Sequence, residues 1–362
     1  MTADGSPAVL AVGAAAIDEW YAVSNIPEPD GGAFANEVTT AFGGVGANVA
    51  VALDRLGRDA GLVSRVGDDE YGRRARGYLA DTGVDATHVA VCDESHTRSL
   101  ILRDPDGERA IVTAGESFRG LRLDDDALAA MADADAVFLT AYTPDRAARR
   151  VLDRVESLRA AAAAGERSGP PALVFDLSGA VEELVGRGTE PDTIHRLLHA
   201  ADLFVADGVA APAFFGSAAD AVDRIATAQV AATGSRRGSR SGPTWPRAVL
   251  THGADGMTAI AGGEVERFDA FDVDTVDATG AGDAFTAGLI DRWIAGGSGD
   301  SDDRRDTGDS DDRGGPDGVA RGVTFAAAVA AINCTARFTQ PGLPTRSEVE
   351  AFLAERGVSD RE

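Results

Sequence analysis

The chain has 362 residues, of which 44% are hydrophobic and 26% charged, a composition typical of an ordinary globular protein. Its formal net charge of -25 excludes broad attraction to nucleic acid or to an anionic membrane surface, because clustered cations are needed to neutralise phosphates. Apart from histidine, every basic side chain is arginine, and the absence of lysine excludes a Walker A loop, a protein-kinase phosphate lysine and a Schiff-base enzyme.

The acidic, lysine-free composition resembles that of proteins from extreme halophiles. Such a surface stays solvated in concentrated salt, where charge repulsion is screened within about 3 Å at 1 M. The two cysteines, Cys92 and Cys334, lie far apart in sequence, which argues against a disulfide scaffold or a cysteine-rich zinc site and indicates a reducing compartment. The apolar segment 8–17 is too short to span a bilayer, and we expect a cytoplasmic protein with no nucleic-acid or membrane partner.

Short apolar runs alternate with helical patterns along most of the chain. Such alternation predicts an α/β fold with a mainly parallel sheet covered by helices. The predicted strands of this sheet are 8–17, 61–66, 136–139, 172–175, 203–205 and 248–251.

Residues 97–112 contain two extended runs around an Asp-Pro-Asp-Gly turn, which predicts a β-hairpin. Together with the extended stretch near 20–40, this hairpin predicts a small second sheet that acts as a lid, with strands at about 18–41 and 88–114; a simple edge hairpin is the alternative. The segments 233–247 and 296–318 are rich in Gly, Ser, Asp and Arg and are predicted to be disordered insertions within a single domain covering 1–362.

A glycine-rich turn leads into a helical pattern in the segment 276–293. Gly280 and Gly282 let backbone N–H groups approach an anion, and the helix dipole favours negative charge at this point. Asp283 falls in the first helical turn, where we expect the dipole to keep its carboxylate ionised, as a general base for a hydroxyl requires. The alternative is that Asp283 only caps the helix.

A second glycine-rich run at 42–57 also leads into a helical pattern, with Asn48 as its polar residue. An amide can both donate and accept hydrogen bonds, which suits a substrate with several hydroxyls; a plain helix-start asparagine is the alternative. A dinucleotide-binding loop is excluded because Val49 stands where the third glycine would be.

The two runs, in this order, resemble the two signature motifs of the PfkB (ribokinase-like) carbohydrate kinases. The resemblance implies a three-layer α/β/α sandwich with a mainly parallel central sheet and a small β-sheet lid. It implies that Asp283 is the catalytic base and that the transferring phosphate binds at an anion hole formed by Thr279, Gly280, Ala281 and Gly282.

The same resemblance assigns further residues to the substrates and the lid. The sugar is expected to contact residues of the first half, namely Asp18, Gly43, Gly44 and Asn48. The nucleotide is expected to contact residues of the second half, namely Thr251, Gly253, Gly256 and Asn333. Thr97 and the run from Gly107 to Arg109 resemble the lid strands of the family.

The metal arrangement departs from the family pattern. Where the family has Asn-x-x-Glu tied to Mg²⁺, this chain has Asp207 and Ala210, of which only Asp207 could hold water around a metal. Asp277 is assigned to a monovalent cation such as K⁺. Val45 replaces a lysine of the ribokinases proper, which makes ribose a less secure acceptor.

The sequence therefore predicts an ATP-dependent kinase that phosphorylates a hydroxyl of a small carbohydrate of the fructose, 2-keto-3-deoxygluconate or ribose type. Its expected ligands are ATP, Mg²⁺ and the sugar, and the resemblance also implies a homodimer paired through the lid sheets. A nucleoside kinase of the same family is the nearest alternative. A non-catalytic sugar or nucleotide sensor is the alternative from another class, because Ala210 replaces a metal-linked glutamate.

Overall fold

A computed structural model describes residues 7–166, 169–179, 181–234, 246–293 and 316–358. The insertions predicted at 233–247 and 296–318 lie for the most part outside these residues. Among the helices of the described segments, none is both long and apolar enough to cross a membrane.

Thirteen strands and twelve α-helices are present in the described segments. The strands are β1 (Val9–Val12), β2 (Ala16–Val23), β3 (Ala35–Gly43), β4 (Ala60–Gly67), β5 (Val89–Cys92), β6 (Arg98–Arg103), β7 (Arg109–Ala114), β8 (Ala136–Thr140), β9 (Ala172–Leu177), β10 (Leu203–Ala206), β11 (Arg247–Thr251), β12 (Met257–Ala261) and β13 (Glu264–Phe268). The helices are α1 (Val45–Arg55), α2 (Glu70–Ala80), α3 (Asp125–Asp133), α4 (Asp145–Ala163), α5 (Val181–Leu184), α6 (Pro191–Ala200), α7 (Ala210–Phe215), α8 (Ala218–Gly234), α9 (Ala281–Trp293), α10 (Pro316–Cys334), α11 (Thr339–Gly342) and α12 (Arg346–Glu355).

Nine strands form the central sheet in the order β13-β12-β11-β10-β9-β8-β1-β4-β5. Every pairing from β11 to β5 is parallel, and only β12 and β13 pair antiparallel at one edge. Parallel strands end at a common edge, so the loops that follow β1, β8, β9, β10 and β11 meet on one side of the sheet.

Both faces of this sheet are covered by helices, as the alternation in β1 illustrates. Val9 and Ala11 pack into a core shared with α1, α2, α9, α10 and α12, whereas Leu10 and Val12 pack into a core shared with α3, α4, α6, α7 and α8. All four side chains are fully buried, which explains why the strand reads as a continuous apolar run. This arrangement is the predicted three-layer α/β/α sandwich.

The remaining four strands form a separate small sheet in the order β3-β2-β6-β7. The hairpin predicted at 97–112 is present as β6 and β7, and β2 pairs with β6 in parallel, with Ile17 opposite Arg98. This small sheet, called the lid sheet below, is the predicted secondary sheet.

Two predicted boundaries are wrong. The single strand predicted at 8–17 is two strands, because the chain leaves the central sheet after β1 and enters the lid sheet with β2. The break contains Gly13, where a Cβ would lie 2.7 Å from the Cα of Gly46 in α1, so strand and helix touch backbone to backbone. The lid segment predicted at 88–114 also divides, since β5 pairs with β4 in the central sheet. An extended pattern alone does not specify which sheet a strand joins.

Candidate active site

Asp283 lies in the first turn of α9, opposite the helix α1 that carries Asn48. The Nδ2 of Asn48 donates a 2.7 Å hydrogen bond to Oδ2 of Asp283. The Nε2 of Gln340 in turn donates to Oδ1 of Asn48 over 3.3 Å. The two predicted motifs, which are 235 positions apart, therefore meet at one carboxylate.

The charge state of Asp283 differs from the sequence expectation. The pKa of Asp283 is raised to about 7, mainly by burial; the hydrogen bond from Asn48 opposes this rise, and the negative charges of Asp176 and Asp18 add to it. The helix dipole was expected to keep this carboxylate ionised, but desolvation and like charges outweigh that effect. A carboxylate with this pKa can accept a proton near neutral pH.

The turn before α9 provides only part of the predicted anion hole. The N–H of Thr279 donates to Oδ1 of Asp277 over 3.0 Å, and the N–H of Ala281 donates to the carbonyl of Ala278 over 3.3 Å. The N–H groups of Gly280, Gly282 and Asp283 donate to no acceptor in the part of the chain that the structure describes. Of the four predicted residues, the two glycines therefore have free amides, and Asp283 adds a third.

Gly280 is required by the shape of this turn. Its φ is 78°, in the left-handed region that favours glycine, and a Cβ here would lie 2.1 Å from Cγ2 of Thr339. A larger residue would push the turn away from the α11 segment and displace the free amides of Gly280, Gly282 and Asp283.

The predicted sugar residues gather at the junction between the lid sheet and α1. A Cβ on Gly43 would lie 2.1 Å from Oδ2 of Asp18, and Gly44 has a φ of 93° with the carbonyl oxygen of Ala14 2.6 Å from its Cβ position. Both glycines are needed for the lid strand β3 to reach α1 beside Asp18. Burial raises the pKa of Asp18 to about 6, against the lowering effect of a hydrogen bond with Ser99.

Two arginines of the β6–β7 hairpin reach the turn before α9. Arg103 and Arg109 are directly opposite each other in the register of β6 and β7. The Nη1 of Arg109 donates to Oγ1 of Thr279 over 3.2 Å, and the Nη1 of Arg103 lies 3.9 Å from Oδ1 of Asp277. Arg109 forms no ion pair with any of the described residues, and its side chain is exposed. The lid sheet therefore places two arginines over a turn with free amides.

Sequence analysis indicated only one of these two arginines. Arg109 belongs to the run that resembles the family's lid strands, but its contact with Thr279 joins positions 170 residues apart. Arg103 was not singled out, although it occupies the other strand of the same predicted hairpin. Only the fold brings the hairpin above the turn.

Two residues that sequence reasoning missed lie close enough to Asp283 to interact with its charge. Asp176, near the end of β9, is buried and accepts hydrogen bonds from Ser178 and, over 3.0 Å, from Oγ1 of Thr286 in α9. Burial raises the pKa of Asp176 to about 6. Burial and the nearby carboxylates raise the pKa of Tyr142, after β8, to about 12, so its hydroxyl stays protonated. The signal for Asp176 in the sequence was its position directly after the predicted strand 172–175.

Asp207 follows β10, at the same edge of the sheet. Its Oδ1 accepts from the N–H groups of Val209 at 2.9 Å and Ala210 at 2.6 Å, and its Oδ2 accepts from that of Gly179 at 3.3 Å. A carboxylate offers about four acceptor positions, so these three bonds leave room for a water bound to Mg²⁺. In the described segments, no three His, Cys, Asp or Glu side chains are grouped to hold a metal directly. A role for Asp207 in holding metal-bound water therefore stays a prediction.

Asp277, which the sequence analysis assigns to a monovalent cation, is buried beside the turn before α9. Its Oδ1 accepts from the N–H of Thr279 and its Oδ2 accepts from the N–H of Phe338 over 3.1 Å. The side chain therefore ties the turn to the segment before α11. This tie is a structural role that the sequence did not indicate.

The predicted nucleotide residues lie on two separate elements. Thr251 ends β11, and Gly253 and Gly256 belong to the turn that follows it. Asn333 is buried near the end of α10, and its Nδ2 donates to the carbonyl of Thr339 over 2.7 Å. This bond gives Asn333 a role in holding the α11 segment, and its place beside an adenine ring stays a prediction.

Comparison with known proteins identifies the family. A model described as pfkB family carbohydrate kinase matches residues 6–346. The chain is 30% identical over 359 residues to the ATP-dependent ribose-1-phosphate kinase of Halopiger xanaduensis, covering 96% of this chain and 98% of that protein. It is 28% identical over 333 residues to an Escherichia coli fructokinase, covering 91% of this chain and 95% of that protein.

Solved structures confirm the ribokinase-like fold. A ribokinase from Giardia lamblia superposes with a TM-score of 0.78 at 18% identity, covering 97% of this chain and 100% of that one. Arabidopsis thaliana ribokinase in complex with ribose and ATP superposes with a TM-score of 0.72 at 20% identity, covering 96% of this chain and 99% of that one. The family model and the relatives together show that the chain belongs to the PfkB family of carbohydrate kinases.

Proposed function

We propose that this PfkB kinase transfers the γ-phosphoryl group of ATP to a hydroxyl of a small carbohydrate, with Asp283 as the general base. The position of Asp283 is the observation that carries this proposal. Its carboxylate is hydrogen-bonded to Asn48, lies beside three free backbone amides and has a pKa raised to about 7. A proton acceptor and an anion hole therefore share one helical turn.

The reaction follows from this geometry. Asp18 and Asn48 hold the acceptor, and Asp283 removes the proton from its hydroxyl as the oxygen bonds to the γ-phosphorus. The bond from that phosphorus to the leaving oxygen of ADP breaks in line with the attack. The N–H groups of Gly280 and Gly282 stabilise the charge on the transferring group. Catalysis rests mainly on positioning and electrostatics.

The lid arginines supply the positive charge that a lysine-free site otherwise lacks. Among the described residues, Arg109 has no ion-pair partner. The ion-pair partner of Arg103 is Asp277, with 3.9 Å between Nη1 and Oδ1. Guanidinium groups bind phosphate oxygens in pairs of hydrogen bonds, and closure of the lid would place them against the transferring phosphoryl group. Mg²⁺ bound with ATP would neutralise phosphate charge, and Asp207 would hold it through water. K⁺ near Asp277 is a further proposed ligand.

The acceptor is proposed to be a small sugar of the fructose, 2-keto-3-deoxygluconate or ribose type. The relative from Halopiger xanaduensis is named a ribose-1-phosphate kinase, which makes ribose 1-phosphate a further candidate acceptor. The two lid arginines also favour testing an acceptor that already carries a phosphate. A nucleoside kinase is the alternative, since a Methanothermobacter thermautotrophicus nucleoside kinase is 27% identical over 291 residues.

One assay separates these possibilities. ADP release is measured with ATP, with and without Mg²⁺, against fructose, ribose, 2-keto-3-deoxygluconate, ribose 1-phosphate and adenosine, at low and at molar salt. The proposal expects release that depends on both Mg²⁺ and one acceptor. Ligand-dependent thermal stabilisation without any ADP release would instead favour the non-catalytic sensor.

The halophilic origin, the cytoplasmic location and the homodimeric assembly of the protein are also proposals. The net charge of -25 and the absence of lysine support a halophilic origin, and two free cysteines, Cys92 and Cys334, support the cytoplasm. The edge strands β3 and β7 of the lid sheet expose Val38 and Ile111, which supports a homodimer paired through these sheets. Light scattering in molar salt would measure the assembly, and a monomer at all concentrations would contradict it.

A further inference from the structure

We propose that Gln340 is a positioning residue that fixes the orientation of the Asn48 amide, and that the segment 337–340 links this amide to the lid sheet. The inference rests on the proposed function of Asp283 and deepens it. Three sets of contacts, made by four consecutive residues, support it.

The first set concerns the direction of the Asn48 amide. A carboxamide has a donor end and an acceptor end of nearly the same shape, so its neighbours decide which way it points. The Nε2 of Gln340 donates to Oδ1 of Asn48 over 3.3 Å, which turns the Nδ2 of Asn48 toward Asp283, to which it donates over 2.7 Å. Without Gln340, a rotated amide would present its oxygen to Asp283 and would stabilise the protonated acid by accepting its proton in a hydrogen bond.

The second set joins the same segment to the anion-binding turn. The N–H of Phe338 donates to Oδ2 of Asp277 over 3.1 Å, and Oγ1 of Thr339 donates to the carbonyl of Thr279 over 3.2 Å. The segment is therefore fixed to the turn that presents the free amides. A displacement of the turn would move Gln340 with it.

The third set joins the segment to the lid sheet. The ring of Phe338 packs edge to face on Trp20 of β2 with 5.5 Å between centroids. Arg337 forms a 2.8 Å ion pair with Glu37 of β3. The position of the lid and the position of Gln340 are thereby coupled.

The backbone of Phe338 shows that this segment is held in place by its contacts. Its φ is 67°, a positive value that favours glycine and strains a bulky residue. Such a conformation persists only when its surroundings impose it. The contacts with Trp20 and Asp277 supply that constraint, and loss of either would release Gln340.

The direct test replaces Gln340 by Leu and measures the pH profile of kcat with the acceptor found in the panel. Donation from Asn48 lowers the pKa of Asp283, so its loss should move the acid limb of kcat to higher pH. We expect kcat at neutral pH to fall about fivefold, the equivalent of one neutral hydrogen bond. The other titratable groups that face Asp283 are unchanged in this variant, namely Asp18 on β2, Asp176 on β9 and Tyr142 after β8.

The matched control is Gln229→Leu. Gln229 is buried and donates to the carbonyls of Pro246 and Ile260 away from the cleft, so its loss should lower stability without moving the acid limb. An acid limb that stays in place in Gln340→Leu, or that moves equally in Gln229→Leu, would overturn the positioning role.

The link to the lid is tested by Phe338→Gly. Glycine adopts the positive φ without strain but lacks the ring that packs on Trp20, so we expect a shift of the acid limb in the same direction as in Gln340→Leu, and smaller. An unchanged limb in Phe338→Gly beside a moved limb in Gln340→Leu would overturn the link alone.

A readout without turnover separates these outcomes from failure of the proposed function. The free energy of unfolding is measured against pH for Gln340→Leu with and without Asp283→Asn. The difference between the two reports the pKa of Asp283, and it should shift to higher pH relative to the same difference in the wild type. If the wild-type protein releases no ADP with any acceptor, the proposed function fails, while this difference still tests the positioning of Asn48.

Discussion

Helix α9 carries an aspartate near each end, and the two have opposite surroundings. Asp283, in its first turn, accepts from the amide of Asn48 and faces other carboxylates. Asp291, near its last turn, is fully buried and bonds to Nε of Arg58 at 2.5 Å and to Nη2 of Arg346 at 2.6 Å. The same residue type in the same helix thus lies against cations at one end and against anions at the other.

This difference indicates what each carboxylate can do. Guanidinium groups hold Asp291 in a network that joins α9 to α12 and to the segment after α1, which stabilises the fold. Asp283 forms no ion pair with any of the described residues, and burial without a compensating cation keeps its pKa within reach of neutral pH. Three substitutions and one titration test the comparison.

The largest expected effect is that of Asp283→Asn. The variant keeps the size of the side chain but cannot accept a proton, so turnover should fall about 10³-fold, within the range for general bases. ATP and acceptor should still raise the melting temperature as they do in the wild type. Acceptor-dependent ADP release measures the loss, and turnover close to that of the wild type would contradict the role of Asp283 as base.

Asp291→Asn should have the opposite profile. Removing the charge weakens the buried ion pairs with Arg58 and Arg346, which should lower the free energy of unfolding by about 3 kcal/mol. Urea unfolding measures this change. Turnover per folded molecule should remain close to that of the wild type, and a loss comparable with that of Asp283→Asn would remove the distinction between the two ends of α9.

A pH titration sharpens the comparison further. The pKa of Asp283 is raised to about 7 in the folded protein, above the value of about 4 in the unfolded chain. The stability that this shift contributes is fully present below about pH 4 and is lost as the pH rises through about 7. The wild type should therefore lose stability relative to Asp283→Asn over this range. Over the same range kcat should rise as the base ionises. A constant difference in stability would contradict the raised pKa.

The smallest expected effect is that of Thr286→Val in the middle of α9. Its hydroxyl donates to Asp176 over 3.0 Å, and losing this bond should lower the free energy of unfolding by about 1 kcal/mol. The control is Thr193→Val, which removes a buried hydroxyl that contacts Arg149 away from the cleft. Only Thr286→Val should change the pH profile of kcat, since the charge of Asp176 raises the pKa of Asp283.

Local patterns predicted much of this site. The glycine turn before Asp283 and the glycines before Asn48 could be assigned because each motif is contiguous, and a backbone that approaches a phosphate or a neighbouring strand requires glycine. The hairpin of the lid was also readable from its turn. The boundary between β1 and β2, and the sheet to which β5 belongs, were not readable, because pairing depends on strands remote in sequence.

The sequence by itself determined the α/β class, the order of the motifs and the presence of a carboxylate beside a glycine-rich turn at the start of a helix. The tertiary structure decided which aspartate of α9 forms ion pairs with arginine and which amides of the turn remain free. It also decided which side chain donates a hydrogen bond to Oδ1 of Asn48. The physical reason is that desolvation and hydrogen bonding depend on groups brought together from distant positions, and composition and spacing do not specify those neighbours.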